Sequence, residues 1–225
     1  VVTTAHPGLF SGLLPNSVVV AESSDDEGAR PLWPEEAAVI DRAVEKRRRE
    51  FATVRSLARG CLGRLGVAPA PILPDADRAP RWPAGIVGSM THCDGMRAAA
   101  VARVGSVVGI GIDAEPDQPL PDGLLDFVSV PLERGPLAAL AVRRPDVSWD
   151  RLLFSAKESV FKTWFPVTRR WLDFSDCAVE FDPNRGTFLA TLLVPDGDAM
   201  QTMSGRWASS SVAGRALLGT AITVS

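Results

Sequence analysis

Residues 86–116 read IVGSMTHCDGMRAAAVARVGSVVGIGIDAEP, three short apolar runs separated by Asp94-Gly95 and Gly105-Ser106. Asp-Gly between two such runs is a strong hairpin signal, because glycine takes the positive φ that a two-residue turn requires. The spacing predicts strands over Ile86–Cys93, Met96–Val104 and Val107–Ala114, laid out as one antiparallel meander. If both turns are tight, counting places Thr91 opposite Ala98 and Ala98 opposite Asp113. Thr91 and Asp113 would then stand about 10 Å apart, two strand spacings.

Upstream, Trp33-Pro34-Glu35-Glu36 opens a helix, with proline in the first turn and acids that suit the helix dipole. Apolar positions Ile40, Val44, Phe51, Val54, Ala58, Cys61 and Leu65 continue it at three- and four-residue spacing to Gly66. Residues 67–85 hold five prolines and read as a rigid connector, and residues 1–32, with Asp25-Asp26-Glu27, read as peripheral. Downstream, residues 115–147 carry six prolines and one amphipathic stretch, Leu120–Val128, and read as a crossover. A second helix runs from Ser148 or Asp150 to Phe165, stopped by Pro166. Strands follow over Cys177–Phe181, Thr187–Val194 and Ala216–Val224, with a fourth candidate at Gly205–Ser209. Each half is thus a helix followed by an antiparallel meander. The class is α+β, divided into residues 1–114 and 115–225.

The chain has 225 residues, 46% of them hydrophobic, enough for one large core or two small ones. It has no tyrosine, two histidines (His6 and His92) and only three lysines among 24 basic residues. Tyrosine chemistry and multi-histidine metal sites are therefore excluded. A formal net charge of −3 lacks the basic footprint of a nucleic-acid binder. The apolar runs fall far short of the roughly 18 residues of a membrane helix. Cys61, Cys93 and Cys177 are odd in number and widely spaced, which fits a reducing compartment. The expectation is a soluble cytoplasmic protein that binds neither nucleic acid nor membrane.

Three groups of residues carry chemistry. In Gly111-Ile112-Asp113-Ala114-Glu115-Pro116 the two acids lie at i and i+2 of an extended chain, on one side, where they suit a hard cation such as Mg2+. A solvated strand end is the simpler account of such a pair alone. Glu158 and Lys162 share a helix face with Phe154, Phe161 and Phe165. An i,i+4 pair is ordinarily a surface stabiliser, but a carboxylate among phenylalanines needs a cation. In Gly88–Gly95, Ser89, Thr91 and His92 suit a phosphate, or equally belong to an ordinary hairpin. Arg47 and Arg55 flank Phe51 on one helix face, where arginine meets an anion or simply snorkels.

The order of these pieces resembles the Sfp-type 4′-phosphopantetheinyl transferases. Gly88–Gly95, Gly109–Pro116 and Phe154–Lys162 stand as that family's three motifs, with the arginine helix and Trp82-Pro83 before them. Phe154-Ser155-Ala156-Lys157-Glu158-Ser159-Val160-Phe161-Lys162 followed by Trp171-Leu172 is most similar to the actinobacterial members, grouped with the enterobactin synthase transferase component. The resemblance implies two similar α+β halves related by a pseudo-twofold, with the active site in the cleft between them. It implies transfer of 4′-phosphopantetheine from coenzyme A to a serine of an apo acyl or peptidyl carrier protein, by a monomer, releasing adenosine 3′,5′-bisphosphate. The implied metal is Mg2+, with Mn2+ as an alternative, held by Asp113, Glu115 and Glu158. By the same resemblance Glu158, Lys162 and Asp113 are catalytic, Glu158 as base and Lys162 on the leaving phosphate. Lys157 would contact the phosphates, and Ser89, Thr91, His92, Arg47 and Arg55 would hold the 3′-phosphate.

One stretch departs from the family. Residues 73–80 lack the lysine and glycine that relatives carry near the adenine, so either Arg78 or Arg81 substitutes or the contacts there are weaker. Two other readings use similar residues: a non-catalytic coenzyme A-binding protein of the same fold, and a Mg2+-dependent phosphohydrolase.

Overall fold

In the computed structural model, which describes residues 8–194 and 200–225, the Asp94-Gly95 hairpin forms in the expected register. Strand β2 (Ile86–Cys93) pairs antiparallel with β3 (Met96–Arg103), Thr91 opposite Ala98, and Gly95 turns the chain at φ +89°. The segment expected to be peripheral supplies an edge strand, β1 (Val19–Ser23), and the first sheet runs β1-β3-β2. His6 lies outside the described residues.

The third strand leaves this sheet, which corrects the expected meander. Strand β4 (Gly109–Pro116) pairs with β8 (Arg215–Val224), Asp113 opposite Thr220 rather than Ala98. It forms the edge of a five-stranded antiparallel sheet ordered β4-β8-β7-β6-β5, with β5 at Cys177–Asp182, β6 at Thr187–Leu192 and β7 at Thr202–Val212. Helix α5 (Trp149–Thr168) lies on that sheet. A β-carbon on Gly111 would stand 2.0 Å from Ser159 O and 2.3 Å from Thr163 Oγ1, so only glycine lets β4 seat against the helix.

Strands β2 and β4 still meet, through side chains. Ser89 Oγ accepts the Ile112 N–H at 3.1 Å, and Thr91 Oγ1 accepts the Ala114 N–H at 3.3 Å. Hydroxyls of one strand thus satisfy amides of the other where a ladder would use carbonyls. Thr91 touches Asp113 directly, at 3.0 Å, instead of standing two strands away.

The helix expected from Trp33 to Gly66 is two helices, α1 (Pro34–Val39) and α2 (Glu45–Arg64). Val44, 74% exposed, is extended rather than part of an apolar stripe, and Arg48 Nε bonds Ala43 O at 2.9 Å to hold the corner. The proline-rich crossover contains α3 (Leu124–Val128) and α4 (Pro131–Arg143). Helix α5 runs two residues past Pro166, which removes one hydrogen-bond donor near a helix end, and stops at Arg169 in the left-handed conformation.

Side-chain size explains how the layers stack. Strand β3 is buried on both faces: Ala99 and Val101 meet Ala58, Cys61 and Leu62 of α2, and Ala98, Ala100 and Ala102 meet Ile110, Ile112 and Leu217. Its run of alanines makes room for two layers. Leu152, Leu153, Ala156, Val160 and Trp164 of α5 pack on Val179, Ala190, Leu218 and Ile222 of the five-stranded sheet. The other edge of α5, with Phe154, Glu158, Phe161, Lys162 and Phe165, is left to line a cleft between the two halves.

Candidate active site

The cleft encloses about 830 Å3. One wall carries Arg47, Glu50, Phe51 and Arg55 of α2, the loop from Pro74 to Pro80, and Gly88–His92 of β2. The other carries Asp113 and Glu115 of β4 and the Phe154–Pro166 edge of α5. Nine of the residues expected in the site, Arg47, Arg55, Ser89, Thr91, His92, Asp113, Glu115, Glu158 and Lys162, are brought to this one cavity.

Asp113 is its centre. It is 4% exposed, and its Oδ1 accepts from Lys162 Nζ at 2.6 Å and from Thr91 Oγ1 at 3.0 Å. Lys162 also reaches Ile112 O at 3.3 Å. It pairs with Asp113 across the helix–strand interface, and among the described residues it forms no ion pair with Glu158, its expected i,i+4 partner. Burial works against the Lys162 ammonium, but Asp113 and then Glu158 outweigh it and hold the pKa above the ordinary lysine value. Lys162 is therefore a cation fixed among acids.

The remaining acids are short of positive charge. Burial, with Asp113 beside it, pushes the Glu115 carboxyl up to about 7 against the opposing pull of Arg151, whose Nη1 lies 3.1 Å away. Burial likewise raises Glu158, Lys162 opposing and Asp113 adding. Asp113 Oδ2 is buried with no hydrogen-bond partner among the described residues. Oxygen donors crowded this way fit a hard divalent cation in charge and in type. As the side chains stand, Asp113 faces Lys162 and Glu115 faces Arg151, and no three metal-ligating groups among the described residues converge on one point.

The facing wall is cationic. Arg47 Nη1 is in contact with His92 Nε2. Burial and then the charges of Arg47, Lys162 and Arg97 depress the His92 pKa to about 4. Glu50, which the sequence reading missed, stands 3.5 Å from His92 and 3.7 Å from Arg97. Arg55 lies over the Phe51 ring at 3.2 Å, and its Nε bonds Ile72 O at 2.9 Å. Burial lowers its pKa to about 10, still well above neutrality. Ser89 and Thr91 spend their hydroxyls on Ile112, Asp113 and Ala114, so they build the wall more than they project from it.

Two expectations resolve differently. Lys157 does not join the residues lining the cleft; it is 3% exposed and bonded to Val128 O, Phe174 O and Glu133 Oε2, each at 2.9 Å. In the atypical loop Arg78, at φ +69°, lines the cleft and Arg81 does not. Asp75 folds that loop by accepting from Asp77 N at 3.0 Å and Ala79 N at 2.9 Å, and its other oxygen pairs with Arg169 at the end of α5.

Comparison with known proteins shows the family. Residues 34–102 match the 4′-phosphopantetheinyl transferase N-terminal domain, and residues 109–208 match the 4′-phosphopantetheinyl transferase superfamily. The chain belongs to that superfamily. The two matches meet where the backbone crosses from the first sheet to the second. Among phosphopantetheinyl transferases, Svp of Streptomyces mobaraensis is 54% identical over 223 residues, 96% of this chain and 89% of that protein. PptT of Mycobacterium tuberculosis is 46% identical over 192 residues, 82% and 83% of the two chains. Enterobactin synthase component D of Escherichia coli K12 is a more distant relative, 32% identical over 137 residues, 58% and 61%. The α+β fold in two sheets is the phosphopantetheinyl transferase fold, and no described helix is long and apolar enough to cross a membrane.

Proposed function

We propose that this cleft transfers the 4′-phosphopantetheine arm of coenzyme A to a serine of an apo acyl or peptidyl carrier protein. The observation that carries the reading is the Asp113–Lys162 pair, with Glu158 on the same helix edge as Lys162 and a wall of Arg47, Arg55 and His92 opposite. Phosphoryl transfer needs cations where charge accumulates and one base for the nucleophile; α5 supplies the base and one cation, and the facing wall supplies further cations.

In the reaction the serine oxygen forms a bond to phosphorus, and the bond from that phosphorus to the leaving adenosine 3′,5′-bisphosphate breaks. The serine proton goes to Glu158, whose raised pKa suits a group that must hold it. Lys162, kept charged by Asp113 and Glu158, neutralises the leaving phosphate. Arg47, Arg55 and His92, on the one wall, bind the 3′-phosphate end. Asp113, Glu115 and Glu158 would hold Mg2+ or Mn2+, which when bound neutralises pyrophosphate charge. Both walls come from one chain, which supports action as a monomer, and the free cysteines Cys61, Cys93 and Cys177 suit a cytoplasmic enzyme.

The test is incubation with coenzyme A, Mg2+ and an apo carrier protein. A carrier mass gain of one phosphopantetheine supports transfer. Phosphate or nucleotide release without carrier would mean hydrolysis, and binding with no turnover would mean a coenzyme A-binding protein.

A further inference from the structure

Lys157 sits next to Glu158, yet its side chain leaves the cleft altogether. Successive helix residues point about 100° apart, so a lysine beside a cleft-facing glutamate points elsewhere. Here it points beneath α3 and the turn that precedes β5. Its ammonium is saturated by three acceptors: Val128 O at the end of α3, Phe174 O in that turn, and Glu133 Oε2 in α4, each at 2.9 Å. Glu133 is itself buried and accepts from Val130 N at 2.7 Å and Val179 N at 2.7 Å. One buried ion pair therefore ties α3, α4, the Phe174 turn and β5 to the catalytic helix.

What it holds is a row of rings. Phe154, one turn before Glu158, lines the cleft; Phe174 lies 5.7 Å from it, centroid to centroid, and Phe127 lies 5.8 Å beyond, edge-on and 71% exposed. Two of Lys157's three acceptors are the carbonyl of Phe174 and that of the residue after Phe127. At the other end of the cleft, past Phe165, the walls are bridged by Asp75 and Arg169. Phe154 lies one helical turn from Glu158 on the cleft edge of α5, and the exposed aromatic ridge continues that wall onto the surface.

We propose that Lys157 and Glu133 are positioning residues for the acceptor side of the cleft, clamping the Phe127–Phe174–Phe154 ridge on which the carrier protein rests while its serine reaches Glu158. The proposal builds on the transfer reaction above. It commits to a folded carrier protein as occupant because the serine nucleophile arrives on one, and an apolar shelf continuous with the cleft wall is where such a domain makes contact.

The experiment measures KM for coenzyme A and KM for an apo carrier protein separately. Lys157→Met alone would strand a buried carboxylate, so it is combined with Glu133→Gln, which removes that charge and keeps one oxygen to accept either the Val130 or the Val179 amide. The expected result is a rise of about fivefold or more in carrier KM, with coenzyme A KM within about twofold of the parent. Phe127→Ala removes an exposed ring without touching the clamp and should raise carrier KM in the same way, which keeps the test decisive if the double variant does not fold. A raised coenzyme A KM with an unchanged carrier KM would make Lys157 a phosphate ligand and overturn the proposal. Carrier KM unchanged in Phe127→Ala would also overturn it. If the parent protein transfers nothing to any carrier, the proposed reaction itself fails, a distinct outcome.

Discussion

Thr91 Oγ1 donates to Asp113 Oδ1 at 3.0 Å while accepting the Ala114 N–H at 3.3 Å, so a single hydroxyl fastens the hairpin of the first sheet to the acidic edge strand of the second. Thr91→Val preserves the shape and removes the hydroxyl, leaving a buried amide unpaired and Asp113 with Lys162 as its remaining partner. Urea unfolding should show a loss of about 1–3 kcal/mol, and kcat should fall with it. Thr91→Ser should restore most of both. Unchanged stability in the valine variant would mean that water replaces the hydroxyl.

Glu158→Gln keeps size and polarity and removes the base. Transfer should drop by about 100-fold or more, the range for a lost general base. Coenzyme A affinity by calorimetry should stay largely intact if, as proposed, the opposite wall binds the 3′-phosphate end. Normal turnover by this variant would remove Glu158 from the mechanism.

His92 gives the protein a pH dependence with a definite sign. Its folded pKa, about 4, lies below the ordinary 6.5, through burial first and then Arg47, Lys162 and Arg97, with Asp26 pulling the other way and Glu50 3.5 Å from the ring. The unfolded chain therefore takes up a proton that the folded one refuses. Stability from this group is full above pH 6.5 and falls as pH drops from there through 4. His92→Gln should flatten that part of a urea-midpoint titration; an identical slope would place the ring outside the buried cluster.

The Asp75–Arg169 pair joins the loop wall to the end of α5. Asp75→Asn retains acceptors for the Asp77 and Ala79 amides but loses the ion pair. A partly exposed pair of this kind is worth about 0.2–1 kcal/mol, so coenzyme A KM should rise by at most about fivefold at low salt and less at high salt. Carrier KM should not move. A larger carrier effect would relocate the nucleotide end of the cleft.

What the sequence made legible follows from how local each signal is. Asp94-Gly95 is read within four residues, and the hairpin came out in register. The partner of β4 is β8, a hundred residues on, and nothing near Gly105-Ser106 reveals it. The glycines at 109 and 111 held the clue, for they mark a close approach to α5 rather than a turn. Helix α4 escaped because exposed Leu132 and Val142 blur its periodicity, although Pro131 followed by Glu133 marks its start. In the site, residues on the cleft edge of α5 were found by their spacing. Lys157 was misplaced because motif adjacency was read without the 100° turn that separates neighbours on a helix. Arg151, which pairs with Glu115, and Glu50, which approaches His92, carry no signal until the strands and helices are assembled.

The central claim is that Asp113, Glu158 and Lys162 form the machinery of phosphopantetheine transfer. Mass spectrometry of an apo carrier protein incubated with coenzyme A, Mg2+ and this protein tests it most directly. The account predicts one phosphopantetheine added per carrier serine by the parent protein, and an initial rate lower by about 100-fold or more with Glu158→Gln. An unmodified carrier with the parent protein, or a variant that modifies the carrier at the parent's rate, would contradict it.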